Sequence, residues 1–309
     1  MQTLVVVTGP TGVGKTDTCI RLATHYGAPI LNADSRQIYR GMEIGTAAPT
    51  LAQRQSVPHH FVGMLSVDSY YSASRYEEDV LHLLSHELSA TPFVLLTGGS
   101  MMYIDAVCDG IDDIPTIDDD TRALLKEKLA REGLDHLCDE LRLLDPAYYQ
   151  IVDRKNTRRV VHALEICYMT GRPYSQYRMR QPKARPFRVV KVGLTREREE
   201  LYDRINRRVD AMIAAGLVEE ARRLLPYREC NALNTVGYKE MFMYLDGTYS
   251  LEEATERMKG NTRRYCRKQL TWLKRDARIR WFHPDDIDAI IHYIDTQTQN
   301  HETAEMDMA

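Results

Sequence analysis

The first hundred residues predict an α/β fold built on a parallel sheet, and three observations carry that prediction. Short apolar runs of strand length, Leu4 to Thr8, Pro29 to Ala33 and Phe93 to Thr97, alternate with helical segments, Lys15 to Tyr26 and Ser74 to Ser89. The first run leads directly into Gly9-Pro-Thr-Gly-Val-Gly-Lys-Thr16, a glycine-rich turn that opens the first helix. The third run ends in Gly98-Gly99. Strand-helix alternation of this kind puts helices on both faces of a parallel sheet. Ligands collect at the carboxyl ends of such strands, so Thr8-Gly9, Asp34 and Thr97-Gly98-Gly99 should converge on one cleft.

The glycine-rich turn is G-x-x-x-x-G-K-[ST], which makes the core P-loop NTPase-like. Backbone amides from Gly9 through Thr11, Gly12, Val13 and Gly14 wrap a diphosphate, and the helix start adds positive partial charge. Lys15 reaches the terminal phosphates and Thr16 offers its hydroxyl to Mg²⁺. The motif fixes a diphosphate or triphosphate substrate but not whether phosphorus moves. The third strand ends in Thr97-Gly98-Gly99 where an NTPase commonly carries a metal-binding aspartate, and no Asn-Lys-x-Asp guanine signature occurs. Both absences count against an ordinary ATPase or GTPase.

After Gly110 the pattern changes. Asp112 to Asp120 is an acidic connector containing Pro115, followed by helical stretches 121–131, 134–144, 146–152 and 157–170. Six aspartates fall between Asp109 and Asp120 without D-D-x-x-D spacing, which favours a solvated linker over a metal-diphosphate site. An apolar strand returns at Arg188 to Leu194, and from Glu197 the chain is helical, with a basic helix near 253–275. The expected organisation is an α/β core with a helical C-terminal region over 1–112 and 186–295. A helical insertion domain spans 113–185, and the polar tail 296–309 reads as disordered.

Composition is that of a globular protein, 43% hydrophobic with net charge -3. No apolar stretch approaches membrane-span length, and the six scattered cysteines lack any C-x-x-C pair, so a cytoplasmic protein with reduced thiols and no membrane contact is expected. Charge is distributed unevenly. Arg154 to Lys191 holds eleven Lys or Arg against one acid, Glu165, and Arg257 to Arg280 holds ten against Asp276. In Arg263 to Arg275 the cations interleave with Tyr265 and Trp272, a pattern suited to phosphate attraction and base stacking on RNA. Asp34, at the end of the second strand, suits a general base equally with a helix N-cap. Arg207 or Arg208 could clamp a diphosphate, or both could lie on a solvated helix face.

The ordered series of these motifs closely resembles the tRNA dimethylallyltransferases over residues 4 to about 283. It comprises the loop 9–16, Asp34-Ser-Arg-Gln-Ile-Tyr-Arg-Gly-Met42, Ile44-Gly-Thr-Ala47, Val57-Pro-His-His60, Thr97-Gly-Gly99, Leu144-Asp-Pro146 and Thr170-Gly-Arg-Pro173. Leu201-Tyr-Asp-Arg-Ile-Asn206, Val236-Gly-Tyr-Lys239 and Arg267-Lys-Gln-Leu-Thr-Trp272 complete it. The resemblance implies transfer of a dimethylallyl group from dimethylallyl diphosphate to N6 of the adenosine 3′-adjacent to the anticodon, in tRNAs reading codons that begin with U. It implies a loop that holds the leaving diphosphate with Lys15, Thr16, Arg208 and Mg²⁺, and Asp34 as base. Ser35, Arg36 and Gln37 then line the flipped adenine. Ser100, Arg122, Arg158, Arg159, His162, Gly237, Tyr238, Lys239, Arg267, Lys268, Gln269 and Trp272 match positions contacting the tRNA anticodon stem-loop. Gly98-Gly-Ser-Met-Met-Tyr103 departs from the family's Gly-Gly-Thr-Gly-Leu-Tyr, keeping the hydroxyl at Ser100. The eukaryotic zinc finger is missing, so the bacterial form, acting as a monomer, is the expectation. The alternative is a P-loop small-molecule kinase using ATP.

Overall fold

The computed structural model describes residues 1–178 and 181–306. In chain order the elements are β1 (Thr3–Thr8), α1 (Lys15–Tyr26), β2 (Ile30–Asn32), α2 (Glu43–Thr46), α3 (Leu51–Ser56), β3 (His59–His60), α4 (Ala73–Ser85), β4 (Phe93–Thr97) and α5 (Met101–Asp109). There follow α6 (Asp119–Leu144), α7 (Pro146–Ile151), α8 (Thr157–Thr170), β5 (Arg188–Leu194), α9 (Arg198–Ala214), α10 (Leu217–Leu224), α11 (Tyr238–Leu245), α12 (Leu251–Leu273), β6 (Arg280–Phe282) and α13 (Ile287–Met306).

The chain forms two compact units, Met1–Asp109 with Ala184–Ala309, and Gly110–Lys183. In the first, all six strands are parallel in the order β3-β2-β4-β1-β5-β6. Its centre is β1, whose side chains are buried on both faces: Leu4 and Val6 enter one core and Val5 and Val7 the other. Burial on both faces explains why this strand is apolar throughout instead of alternating. Connections leave β1 toward β2 on one side, and β5 pairs on the other, so the carboxyl end of β1 lies at a topological switch point where α/β sheets bind ligands.

The second unit is helical. Its core joins Leu125, Leu137 and Leu141 of α6 with Val160, Leu164 and Ile166 of α8. The helix α6 kinks at Gly133, where φ is 81°. Asp145, fully buried, caps α7 through Tyr148 N and holds the turn after α8 through Ser175 N and Oγ.

Two short strands, β3 and β6, have no signal in the sequence because two or three residues cannot display a period of two. The tail expected to be disordered from 296 is instead helical through Met306, and 307–309 lie outside the described residues. The reason is docking: Ile287, Ile290 and Ile294 enter the core beneath β1, and the Arg188 guanidinium donates to the Thr298 carbonyl at 2.9 Å. No helix among the described residues is long and apolar enough to cross a membrane. All six cysteines are free thiols.

Candidate active site

A cleft of about 480 Å³ opens at the carboxyl ends of β1, β2 and β4. Its floor is the phosphate loop, and Thr11, Gly12, Gly14, Lys15 and Thr16 line it. Gly14 stands at the N-cap of α1 with φ 110°, a conformation that a side chain would strain. Two guanidinium groups remote in sequence hold the loop: Arg196 Nε donates to the Val13 carbonyl, and Arg204, itself in the cleft lining, donates from Nε to the Gly12 carbonyl, each at 2.9 Å. Of the loop residues expected at the diphosphate, Gly9 and Val13 do not face the cleft. The Val13 side chain is fully buried in the core and its N–H turns back to the Pro10 carbonyl. Gly9 passes under β5, where a Cβ would meet the Leu194 carbonyl at 2.7 Å.

Lys15 is enclosed, its Nζ donating to the carbonyls of Gly9 and Pro10 at 2.9 and 3.0 Å. Burial first, and then the neighbouring Arg208, lower its pKa from 10.5 to about 8, with Asp34 opposing the shift. Arg208 comes from α9, and burial likewise lowers its pKa against the pull of Asp34. Its guanidinium donates to Thr11 Oγ1 and to the Thr46 carbonyl, both at 3.3 Å. Arg207, one residue earlier, is largely exposed and pairs with Asp203 at 2.6 Å. Of the two, Arg208 is the more enclosed, although Arg207 also borders the cleft.

The two carboxylate oxygens of Asp34 have different surroundings. Oδ1 accepts from Arg36 N at 2.9 Å and Gln37 N at 3.3 Å, which closes a turn over residues 35–38; no helix starts there, so Asp34 is not the helix N-cap the sequence also allowed. No hydrogen bond among the described residues engages Oδ2, which lies 2.8 Å from where a Cβ on Gly99 would stand, in the lining of the cleft. The glycine at 99 therefore makes room for this carboxylate. The Gly99 carbonyl is held by Tyr265 OH at 2.8 Å and Gln269 Nε2 at 3.0 Å, and Gln269 Oε1 accepts from Thr11 N at 2.8 Å. Burial, then Asp34, push the Tyr265 hydroxyl up to about 12, so it donates throughout the physiological range. Gln269, expected at a tRNA-contacting position, is buried in the lining of the cleft and ties the loop to the strand end, both halves of its amide engaged.

Around Asp34, Ser100 Oγ accepts from Ser35 N and donates to Ser35 Oγ, both at 2.8 Å, which fixes the turn after β2. Gln37 lines the cleft and donates to the carbonyls of Thr46 and Ala47 at 3.0 and 3.2 Å. Arg36 reaches the Asn231 carbonyl at 2.6 Å. On α12, Arg267 and Lys268 are exposed, and Trp272 donates to Asp105 while Arg275 stacks 5.5 Å above its ring. Lys239 is exposed, but Gly237 and Tyr238 are buried. Tyr238 is a core residue whose hydroxyl donates to buried Glu220, so its side chain presents no RNA surface.

In the second unit, Arg158 and Arg159 are exposed on the first turn of α8. His162, one turn further, pairs with Glu165 at 3.6 Å and meets the Tyr174 ring edge-on. Arg122 lies near Asp119 at 3.7 Å on α6.

Fold and cleft together define a P-loop transferase core whose second strand brings a carboxylate to the phosphate loop. The chain belongs to the IPP transferase family, which matches residues 37–276. It is 60% identical to tRNA dimethylallyltransferase 1 of Phocaeicola vulgatus across 95% of this chain and 98% of that protein. Against the corresponding enzyme of Bacteroides thetaiotaomicron it is 56% identical, across 97% and 98%. The full-length tRNA isopentenylpyrophosphate transferase of Bacillus halodurans superposes with a TM-score of 0.73 at 35% identity, covering 99% of this chain and all of that one. A eukaryotic dimethylallyltransferase solved acting on tRNA superposes with a TM-score of 0.75 at 26% identity, covering 88% and 70%.

Proposed function

We propose that this chain transfers a dimethylallyl group from dimethylallyl diphosphate to N6 of the adenosine 3′-adjacent to the anticodon, in tRNAs reading codons that begin with U, and releases diphosphate. The observation that carries the reading is the division of Asp34: one oxygen fixed by backbone N–H groups, the other facing the cleft that Lys15 and Arg208 also enclose. A small-molecule kinase is set aside, because the close relatives are tRNA dimethylallyltransferases over nearly their whole length.

The adenine amine is a weak nucleophile, its lone pair delocalised into the ring. An allylic C1–O bond compensates by breaking readily once the departing charge is stabilised. Lys15, Arg208 and the loop amides supply fixed positive charge there, in a site where desolvation strengthens it. As N6 bonds to C1, its proton passes to Asp34 Oδ2 and the electron pair of the C1–O bond leaves with diphosphate. The fit for Mg²⁺ is of one kind only. Thr16, which carries a hydroxyl, borders the cleft, while the described residues hold no group of three or more His, Cys, Asp or Glu that could cage an ion. Thr16 would therefore hold the ion jointly with substrate oxygens and water. When bound, the ion neutralises charge on the diphosphate. The adenine must leave its stack to reach N6, and we place Gln37 beside it. The exposed cations Arg158, Arg159, Arg267 and Lys268 fit phosphate contacts, and a monomer acting in the cytoplasm belongs to the same proposal.

The test is transfer of label from dimethylallyl diphosphate into undermodified tRNA without ATP, comparing wild type with Asp34→Asn. Asparagine keeps an oxygen for Arg36 N and Gln37 N but cannot take a proton. A base predicts kcat lower by roughly 10²- to 10⁴-fold with RNA affinity retained. A cap alone predicts near-normal turnover, and that result would overturn the assignment.

A further inference from the structure

Glu220 is 1% exposed, carries a carboxylate, and no cation pairs with it among the described residues. A lone buried carboxylate is costly unless hydrogen bonds solvate it, and here three do. Oε2 accepts from Ile44 N at 2.9 Å, Oε1 accepts from Gly45 N at 2.8 Å, and Tyr238 OH donates to Oε1 at 2.7 Å. The ring of Tyr238 lies so close to the strap that a Cβ on Gly45 would stand 2.6 Å from it. The strap α2 is a single turn, too short to hold itself. It ends at Ala47 in the left-handed region, φ 47°, a strain that persists only where surroundings impose it.

What the strap presents to the cleft is a pair of carbonyls. Thr46 O accepts from both Gln37 Nε2 and Arg208 Nη2, and Ala47 O accepts from Gln37 Nε2. One short segment thus aims the residue beside the adenine and the clamp on the diphosphate. We infer that Glu220 and Tyr238 are positioning residues for the transfer: they hold residues 44–47 so that Gln37 and Arg208 are set together, from outside the cleft. The inference rests on the reading that Arg208 holds diphosphate and Gln37 borders the adenine.

The experiment measures two affinities on folded full-length protein: inorganic pyrophosphate, and anticodon stem-loops carrying adenine or guanine at the modified position. Glu220→Gln keeps the shape but sets an NH₂ against one backbone N–H. It should raise the pyrophosphate dissociation constant about tenfold and narrow the adenine preference by a similar factor. Tyr238→Phe, which removes one donor, should shift both by about threefold. Arg208→Lys should move only the pyrophosphate value and Gln37→Ala only the base preference. If those two variants leave their readouts unchanged, the underlying site reading fails. If they respond while Glu220→Gln and Tyr238→Phe leave both readouts at wild type, the positioning role is overturned. Should Glu220→Gln not fold, Tyr238→Phe decides on the same terms.

Discussion

Gly99→Ala isolates the position of the Asp34 carboxylate from its presence. A Cβ on residue 99 would stand 2.8 Å from Asp34 Oδ2 and 3.5 Å from Gln269 Nε2. Ordinary contact begins near 3.4 Å, so the oxygen must retreat by about 0.6 Å, the difference of the two distances. The atom displaced is the end of a side chain bordering an open cleft, so the cost to stability is small, about 1 kcal/mol. Oδ1 remains tied to Arg36 N and Gln37 N, so the carboxylate swings about that anchor instead of leaving. Misplacement by 1 Å can cost a factor of about 100 in rate, and on that scale 0.6 Å implies roughly a tenfold loss. Single-turnover transfer at saturating donor and stem-loop measures the step, with thermal unfolding as control. Wild-type turnover in a stably folded Gly99→Ala would refute proton removal by Asp34 from this position.

The lowered pKa of Lys15 gives two opposite signs. In the free enzyme kcat/KM for the diphosphate donor should fall as pH rises through about 8, because a neutral amine no longer attracts diphosphate. Between about 8 and 10.5 the unfolded chain binds the Lys15 proton more tightly than the native one, so unliganded stability should rise with pH, visible as an increasing midpoint in urea. Arg158→Ala and Arg159→Ala should each weaken stem-loop binding evenly across loop sequences and reduce the salt slope by about 1; a sequence-selective loss would show base contact instead. With ATP and Mg²⁺ alone, phosphate release should not exceed the buffer control, measured with and without tRNA.

Much of the core was legible because its determinants are local. Leu4 to Thr8 and the loop after it specify strand, turn and helix start within fourteen residues, and the structure forms them there. Asp34 was legible as a position but not as a geometry, since capping and proton transfer need the same residue type and only the separate surroundings of Oδ1 and Oδ2 distinguish them. The structural tie made by Gln269 has no signal in the sequence. Its neighbours Arg267 and Lys268 are exposed and basic, yet helical rotation turns Gln269 inward to a partner 258 residues away. The loop contacts of Arg196 and Arg204 have no local signal for the same reason, even though Arg204 lies in a recognisable motif: both are ordinary charged residues until the fold brings them to the loop carbonyls. Tyr238 shows the converse case: its motif is recognisable in the sequence, but the packing of its side chain in the core is not.

The end of β4 explains why a phosphate loop can serve a leaving group here. An NTPase commonly carries a metal-binding aspartate at this strand end. Here a Cβ on Gly98 would stand 2.1 Å from backbone atoms of Ala33, so no side chain fits at residue 98 without moving a main chain. At Gly99 any side chain would first meet Asp34. The crossing is drawn tight by Ala33 N donating to the Thr97 carbonyl at 2.6 Å and Ser100 N donating to the Ala33 carbonyl at 3.0 Å. Close approach of the two strand ends therefore does two things at once. It leaves no room for a side chain at residue 98, and it brings Asp34 into the lining of the cleft with the loop. On the proposed reading, charge for the departing diphosphate comes from Lys15, Arg208, the loop amides and, when bound, Mg²⁺, while Asp34 acts on the incoming nucleophile.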